Sequence, residues 1–130
     1  MGYITVIPVM YRDAANWKVH GVLRLDGAIT PEQVTALRLC LSEGLYFVPH
    51  MLGFEHFGDG EWRSFPCEDD HDWHEMYLDE FKVVDLTQGG SSLPTAEKLM
   101  HGGSVATFLD TFIAVSACGW AAQDPLADQS

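Results

Sequence analysis

The chain opens on two stretches with strand periodicity. Tyr3 to Tyr11 is rich in β-branched and aromatic residues, with Tyr3, Ile7, Val9 and Tyr11 on one face and Ile4, Val6 and Met10 on the other. Both faces are apolar. Pro8 removes a ladder donor, so the pattern predicts an edge strand or a bulged one. Arg12 to Asn16 is a polar turn. From Trp17 to Leu25 the alternation is regular, with Trp17, Val19, Leu23 and Leu25 facing one way and Lys18, His20 and Arg24 the other. This is a half-buried antiparallel strand with a wet face, and the two stretches read as a hairpin.

The period then changes. Thr30-Pro31-Glu32-Gln33 is a helix start, with Thr30 as N-cap, Pro31 at N1 and Gln33 closing a capping box. Val34, Leu37, Cys40 and Leu41 share a helical face, and Gly44 is expected at the C′ position. Leu45 to Val48 predicts a brief strand stopped by Pro49, and His50 to Phe57 a helical turn with Met51, Leu52 and Phe54 inward. Glu55 to Glu80 is expected to be mostly loop, since Pro66 and the aspartates oppose regular structure. Tyr77 to Leu86 recovers strand character, and Gln88 to Leu93 is a Gly/Ser linker. Ser92 or Thr95 would cap a short helix through Met100, interrupted at Gly102-Gly103. Ser104 caps a last helix to about Cys118, whose stripe Val105, Phe108, Leu109, Phe112, Ile113 is closely amphipathic. The order predicts an α+β fold: a small, mainly antiparallel sheet, two principal helices on one face, and a long acidic loop. A single domain is expected over residues 1–122, with a frayed tail at 123–130.

Charge adds the main asymmetry. The net charge is −12 over 130 residues, and Glu55–Glu80 holds ten of the nineteen acids with Arg63 as its only Lys or Arg. The remainder is near balance. Such a charge repels nucleic acid and anionic lipid, so neither direct nucleic-acid binding nor a membrane partner is expected; basic protein surfaces are favoured. The start MGYITVIPVM has no basic n-region or small-residue cleavage site, and no apolar run approaches the length of a membrane span. With Cys40, Cys67 and Cys118 an odd and widely spaced set, the expectation is a cytoplasmic protein with free thiols.

Three chemistries fit the acidic stretch. Cys67, His71 and His74 with neighbouring carboxylates have donors suited to zinc at short spacing, although HExxH and Cys-x2-Cys are absent. Asp70-His71-Asp72 could supply a general base, but no nucleophile elbow or phosphate loop accompanies it, and an enzyme is not the expected reading. The third is an acidic recognition surface: Glu68, Asp69, Asp70, Asp72, Glu75, Asp79 and Glu80 as charge, with Trp62 and Trp73 as anchors. Carboxylates spaced along a chain can mimic a phosphate backbone and compete for Lys/Arg clefts. A homodimer pairing through the doubly apolar strand Tyr3–Tyr11 is a further possibility.

The phrases Tyr46-Phe47-Val48-Pro49 and EDDHDWHE (Glu68–Glu75) sit on a compact acidic α+β scaffold. In size, charge and character the chain resembles small acidic accessory proteins of phages and plasmids. That resemblance implies an inhibitor of a nucleic-acid-handling or host-defence protein. No cofactor is expected on this reading; the alternative is a metal-binding domain, with zinc as the metal, that could be hydrolytic and is centred on Cys67, His71 and His74.

Overall fold

A computed structural model describes residues 2–13, 18–58, 71–86 and 98–120. The protein is α+β: a mixed, mostly antiparallel six-stranded sheet with two helices packed against it. The strands are β1 (Tyr3–Arg12), β2 (Lys18–Asp26), β3 (Tyr46–Phe47), β4 (His74–Met76), β5 (Lys82–Asp85) and β6 (Lys98–Ser104). The helices are α1 (Pro31–Cys40) and α2 (Val105–Cys118). The order is β3-β4-β1-β2-β6, with β5 also pairing β1. Among the described residues no helix is long and apolar enough to cross a membrane.

The expected hairpin forms, with a register that runs from Ile4 opposite Asp26 to Arg12 opposite Lys18. Its inner face, Ile7, Val9 and Tyr11 with Val19, Leu23 and Leu25, is the floor of the main core. Val34 and Leu37 from α1, Leu41 at its C-cap, and Val105, Phe108 and Phe112 from α2 cover that floor. Ile4, Val6 and Val22 form a second, smaller cluster with Val84 on the opposite face.

Pro8 does not mark an edge. β1 is central, with β2 on one side and both β4 and β5 on the other. β5 pairs Tyr3–Val6 and β4 pairs Val9 and Met10, so Pro8 lies at the gap between them. Its carbonyl accepts from Tyr77 N–H at 2.9 Å, so its nitrogen faces the side where no ladder bond is required. A dimer built by pairing at β1 therefore has no free edge to use.

The capping box of α1 is present: Thr30 N–H donates to Gln33 Oε1 (2.9 Å) and Gln33 N–H to Thr30 Oγ1 (3.2 Å). The helix ends at Cys40 rather than beside Gly44. The Cys40 carbonyl accepts from Ser116 Oγ (3.1 Å) and Trp120 Nε1 (2.8 Å), so groups at the end of α2 satisfy it. Ser42 then bridges Tyr46, and Gly44 (φ +72°) sits in the turn between them. Thr5, fully buried, ties this half together by donating to Gly27 O (2.8 Å) and accepting from Ile29 N–H (3.0 Å).

Elsewhere the elements differ from the sequence expectation. His74–Met76, within the expected loop, is strand β4, and Tyr77–Leu86 divides into a 3₁₀ turn (Leu78–Glu80) and β5. Residues 98–104 form β6, parallel to β2, instead of a helix broken by glycines. Gly102 explains the difference. A Cβ there would collide with Leu25 and lie 3.0 Å from Phe108, so the missing side chain lets the strand pass beneath α2. Gly21 acts similarly under Phe57, where a Cβ would lie 2.7 Å from the ring and 2.8 Å from Lys98 O. Ser104 caps α2 as expected, accepting from Thr107 N–H at 3.1 Å, but Ile113 is exposed. The polar turn beyond Asp13, the Gly/Ser linker and the tail lie outside the described residues.

Candidate functional site

Residues on either side of the stretch 59–70 meet at a cluster of imidazoles around Tyr11. The ring of Tyr11 is fully buried and touches His56 (centroids 4.3 Å apart), His74 (4.9 Å) and His71 (5.2 Å). Tyr11 reaches this place because β1 carries it on the core face at the end where β4 pairs. Its hydroxyl accepts from His71 N–H at 3.2 Å.

Each imidazole grips backbone. His74, on β4, accepts from Phe57 N–H at Nε2 (3.1 Å) and donates from Nδ1 to Asp72 O (3.0 Å). His56 accepts from Gly58 N–H at Nδ1 (2.9 Å) and donates from Nε2 to His71 O (2.6 Å). His71 accepts from Trp73 N–H at Nδ1 (3.1 Å) and donates from Nε2 to Arg12 O (2.8 Å). Backbone N–H groups can only donate, so they fix one nitrogen of each ring as acceptor and leave the other as donor. His50, from the 3₁₀ turn Pro49–Leu52, reaches Asp72 Oδ2 at 3.0 Å. The contacts His56–His71, Phe57–His74 and His50–Asp72 form a clasp that joins residues before the stretch 59–70 to residues after it.

Electrostatics follow from burial. His74 is wholly enclosed, and its pKa falls from 6.5 to about 3, chiefly by desolvation and secondly by the neighbouring His56. On the other face of the sheet, Tyr77 Oη donates to Glu75 Oε1 at 2.7 Å. Burial, reinforced by that carboxylate, pushes the phenol up to about 12. Arg12 Nε stands 3.6 Å from Glu75 Oε2.

The anticipated site residues therefore divide. Asp72 is buried and bonded to His50, and Glu75 serves Tyr77 and Arg12, so these carboxylates are spent within the fold. Asp79 and Glu80 are exposed, with Asp79 Oδ1 accepting from Arg38 Nη2 at 2.6 Å on the surface. Trp73 is half-buried, edge-on to Tyr46 at 6.4 Å and 75°. Trp62, Cys67, Glu68, Asp69 and Asp70 lie outside the described residues. The rings of His71 and His74 come together through Tyr11, yet both nitrogens of each are engaged with backbone or partner groups already described. Among the described residues no group of three or more His, Cys, Asp and Glu side chains is placed to hold a metal ion. Tyr11, Arg12 and Phe57 are parts of the clasp that sequence reasoning missed; the signal available was that Tyr11 fell on the buried face with a hydroxyl needing a partner.

Comparison of the chain with protein-family models, with curated proteins and with solved structures finds no match.

Proposed function

We propose that the protein is a non-enzymatic interaction protein that presents its acidic segment to a basic surface of a partner and blocks it, the partner being a nucleic-acid-handling or host-defence protein. The observation that carries this reading is the clasp. Four histidines, a buried tyrosine and a buried aspartate hold together the ends of a stretch that, over residues 59–70, contains Asp59, Glu61, Glu68, Asp69 and Asp70 against Arg63 alone. Anchoring both ends lowers the ordering entropy lost when such a segment engages a partner. The imidazoles are occupied in holding backbone, which also weighs against the zinc reading: ligation through His71 or His74 would break at least one of the hydrogen bonds of each ring.

The test is affinity capture from host lysate with the wild-type chain and with the triple reversal Glu68→Lys, Asp69→Lys, Asp70→Lys. Asp72 is left intact because it belongs to the clasp. A basic partner should be retained at low salt, shed at high salt, displaced by duplex DNA, and absent from the reversed variant. Equal capture of the same protein by both chains would remove the reading.

A further inference from the structure

Beside the clasp lies a second feature. Ser42, Glu43, Tyr46, His71 and Trp73 line an open groove of about 500 Å³. Tyr46 and Trp73 stand edge to face there. The groove is built on fixed parts. Tyr46 is held by its bridge to Ser42 and by pairing with Glu75 of β4. Trp73 N–H is bonded to His71 Nδ1, whose ring is anchored in turn on Arg12 O.

Glu43 is the unusual member. It is the one described non-glycine residue with positive φ (+54°), followed by Gly44 at +72°. The turn is closed by Leu45 N–H on Ser42 O at 3.0 Å. Positive φ at both central positions calls for Asn, Asp or Gly at the first, and glutamate is a poor choice there on backbone grounds. Local strain of this kind is retained where a side chain has a use. Among the described residues the Glu43 carboxylate makes no ion pair or hydrogen bond; Arg38, in the last turn of α1, is bound to Asp79 instead.

We propose that Glu43, Tyr46 and Trp73 form a receptor for a single arginine side chain of the basic partner. A guanidinium is planar and weakly hydrated; it stacks on aromatic rings while its fork of donors meets a carboxylate in two places, whereas an ammonium does this poorly. The net charge of −12 supplies a field that draws cations toward the protein. This receptor rests on the reading of the protein as a binder of basic surfaces, and it adds a preference for arginine that charge alone does not provide.

The test uses two blocked octapeptides of equal charge, one of arginine and one of lysine, titrated onto the whole chain by calorimetry. The wild type should bind the arginine peptide about tenfold more tightly. Glu43→Asn and Trp73→Leu should each lose about tenfold for the arginine peptide and little for the lysine peptide. Glu43→Asn should also melt at the same or a higher temperature, because asparagine suits the turn; a purely structural glutamate would give a lower one. Unchanged arginine affinity in both variants overturns the receptor while leaving the acidic-segment reading intact, provided the Glu68/Asp69/Asp70 reversal still abolishes binding. Failure of the wild type to bind either peptide overturns both.

Discussion

Replacing His74 by glutamine isolates the group on which the clasp is centred. In the folded chain His74 is enclosed and its pKa is about 3, against 6.5 when solvated. Below pH 6.5 the unfolded chain takes up a proton that the folded chain refuses. Stability from this group is therefore complete above pH 6.5 and is lost progressively as pH falls toward 3. At about 1.4 kcal/mol per pH unit for one proton, moving from about pH 7 to about pH 5 should cost roughly 2 kcal/mol through His74 alone. A glutamine oxygen can still accept from Phe57 N–H, but the Asp72 carbonyl loses its donor, so the variant should be weaker by roughly 1–3 kcal/mol at neutral pH. The two effects separate in a series of urea unfolding curves. Plotted against pH, wild type and His74→Gln should converge by about 2 kcal/mol between about pH 7 and about pH 5. Parallel plots would mean that His74 is not the group refusing the proton, and the account of the clasp as neutral imidazoles would fall.

Two further substitutions probe the frame that carries the site. Thr5→Val keeps the shape but strands Gly27 O and Ile29 N–H, both partners of the buried hydroxyl; a loss of roughly 2–4 kcal/mol is expected by chemical denaturation, and a loss below about 0.5 kcal/mol would show that the loop before α1 finds other partners. Gly21→Ala places a methyl group against Phe57 and the Lys98 carbonyl, and because that carbonyl belongs to the backbone of β6 the clash is not relieved by a rotamer change. It should cost roughly 1–3 kcal/mol in the same assay, and a neutral result would place Phe57 elsewhere.

Where a residue's role is decided locally, the sequence is informative. Thr30 and Gln33 cap α1 within a few residues of each other, Ser104 caps α2, and the alternation from Val19 to Leu25 sets the inner face of β2. β4 is hidden because His74, one of its inward residues, is polar and counts as solvent-facing in any apolar pattern. β6 is hidden because Lys98, His101 and two glycines lack strand character; its place depends on the small volume beneath α2, a property of the packed sheet. The clasp was beyond reach for the same reason. Tyr11 and His71 are sixty positions apart, and nothing near Tyr11 in sequence announces which group its hydroxyl will meet. Two of the seven carboxylates counted as binding charge, Asp72 and Glu75, proved to be internal because their partners His50, Tyr77 and Arg12 converge on them only in the folded chain.

Pro8 has a mechanical consequence. It lies where the ladders of β4 and β5 part along one side of β1, so that side of the sheet is made from two separate pieces. Opening of the clasp would load β4 and the imidazoles behind it, while β5 and the Ile4–Val84 contacts remain seated. The clasp end of the molecule can thus yield locally while the β1–β5 ladder stays paired.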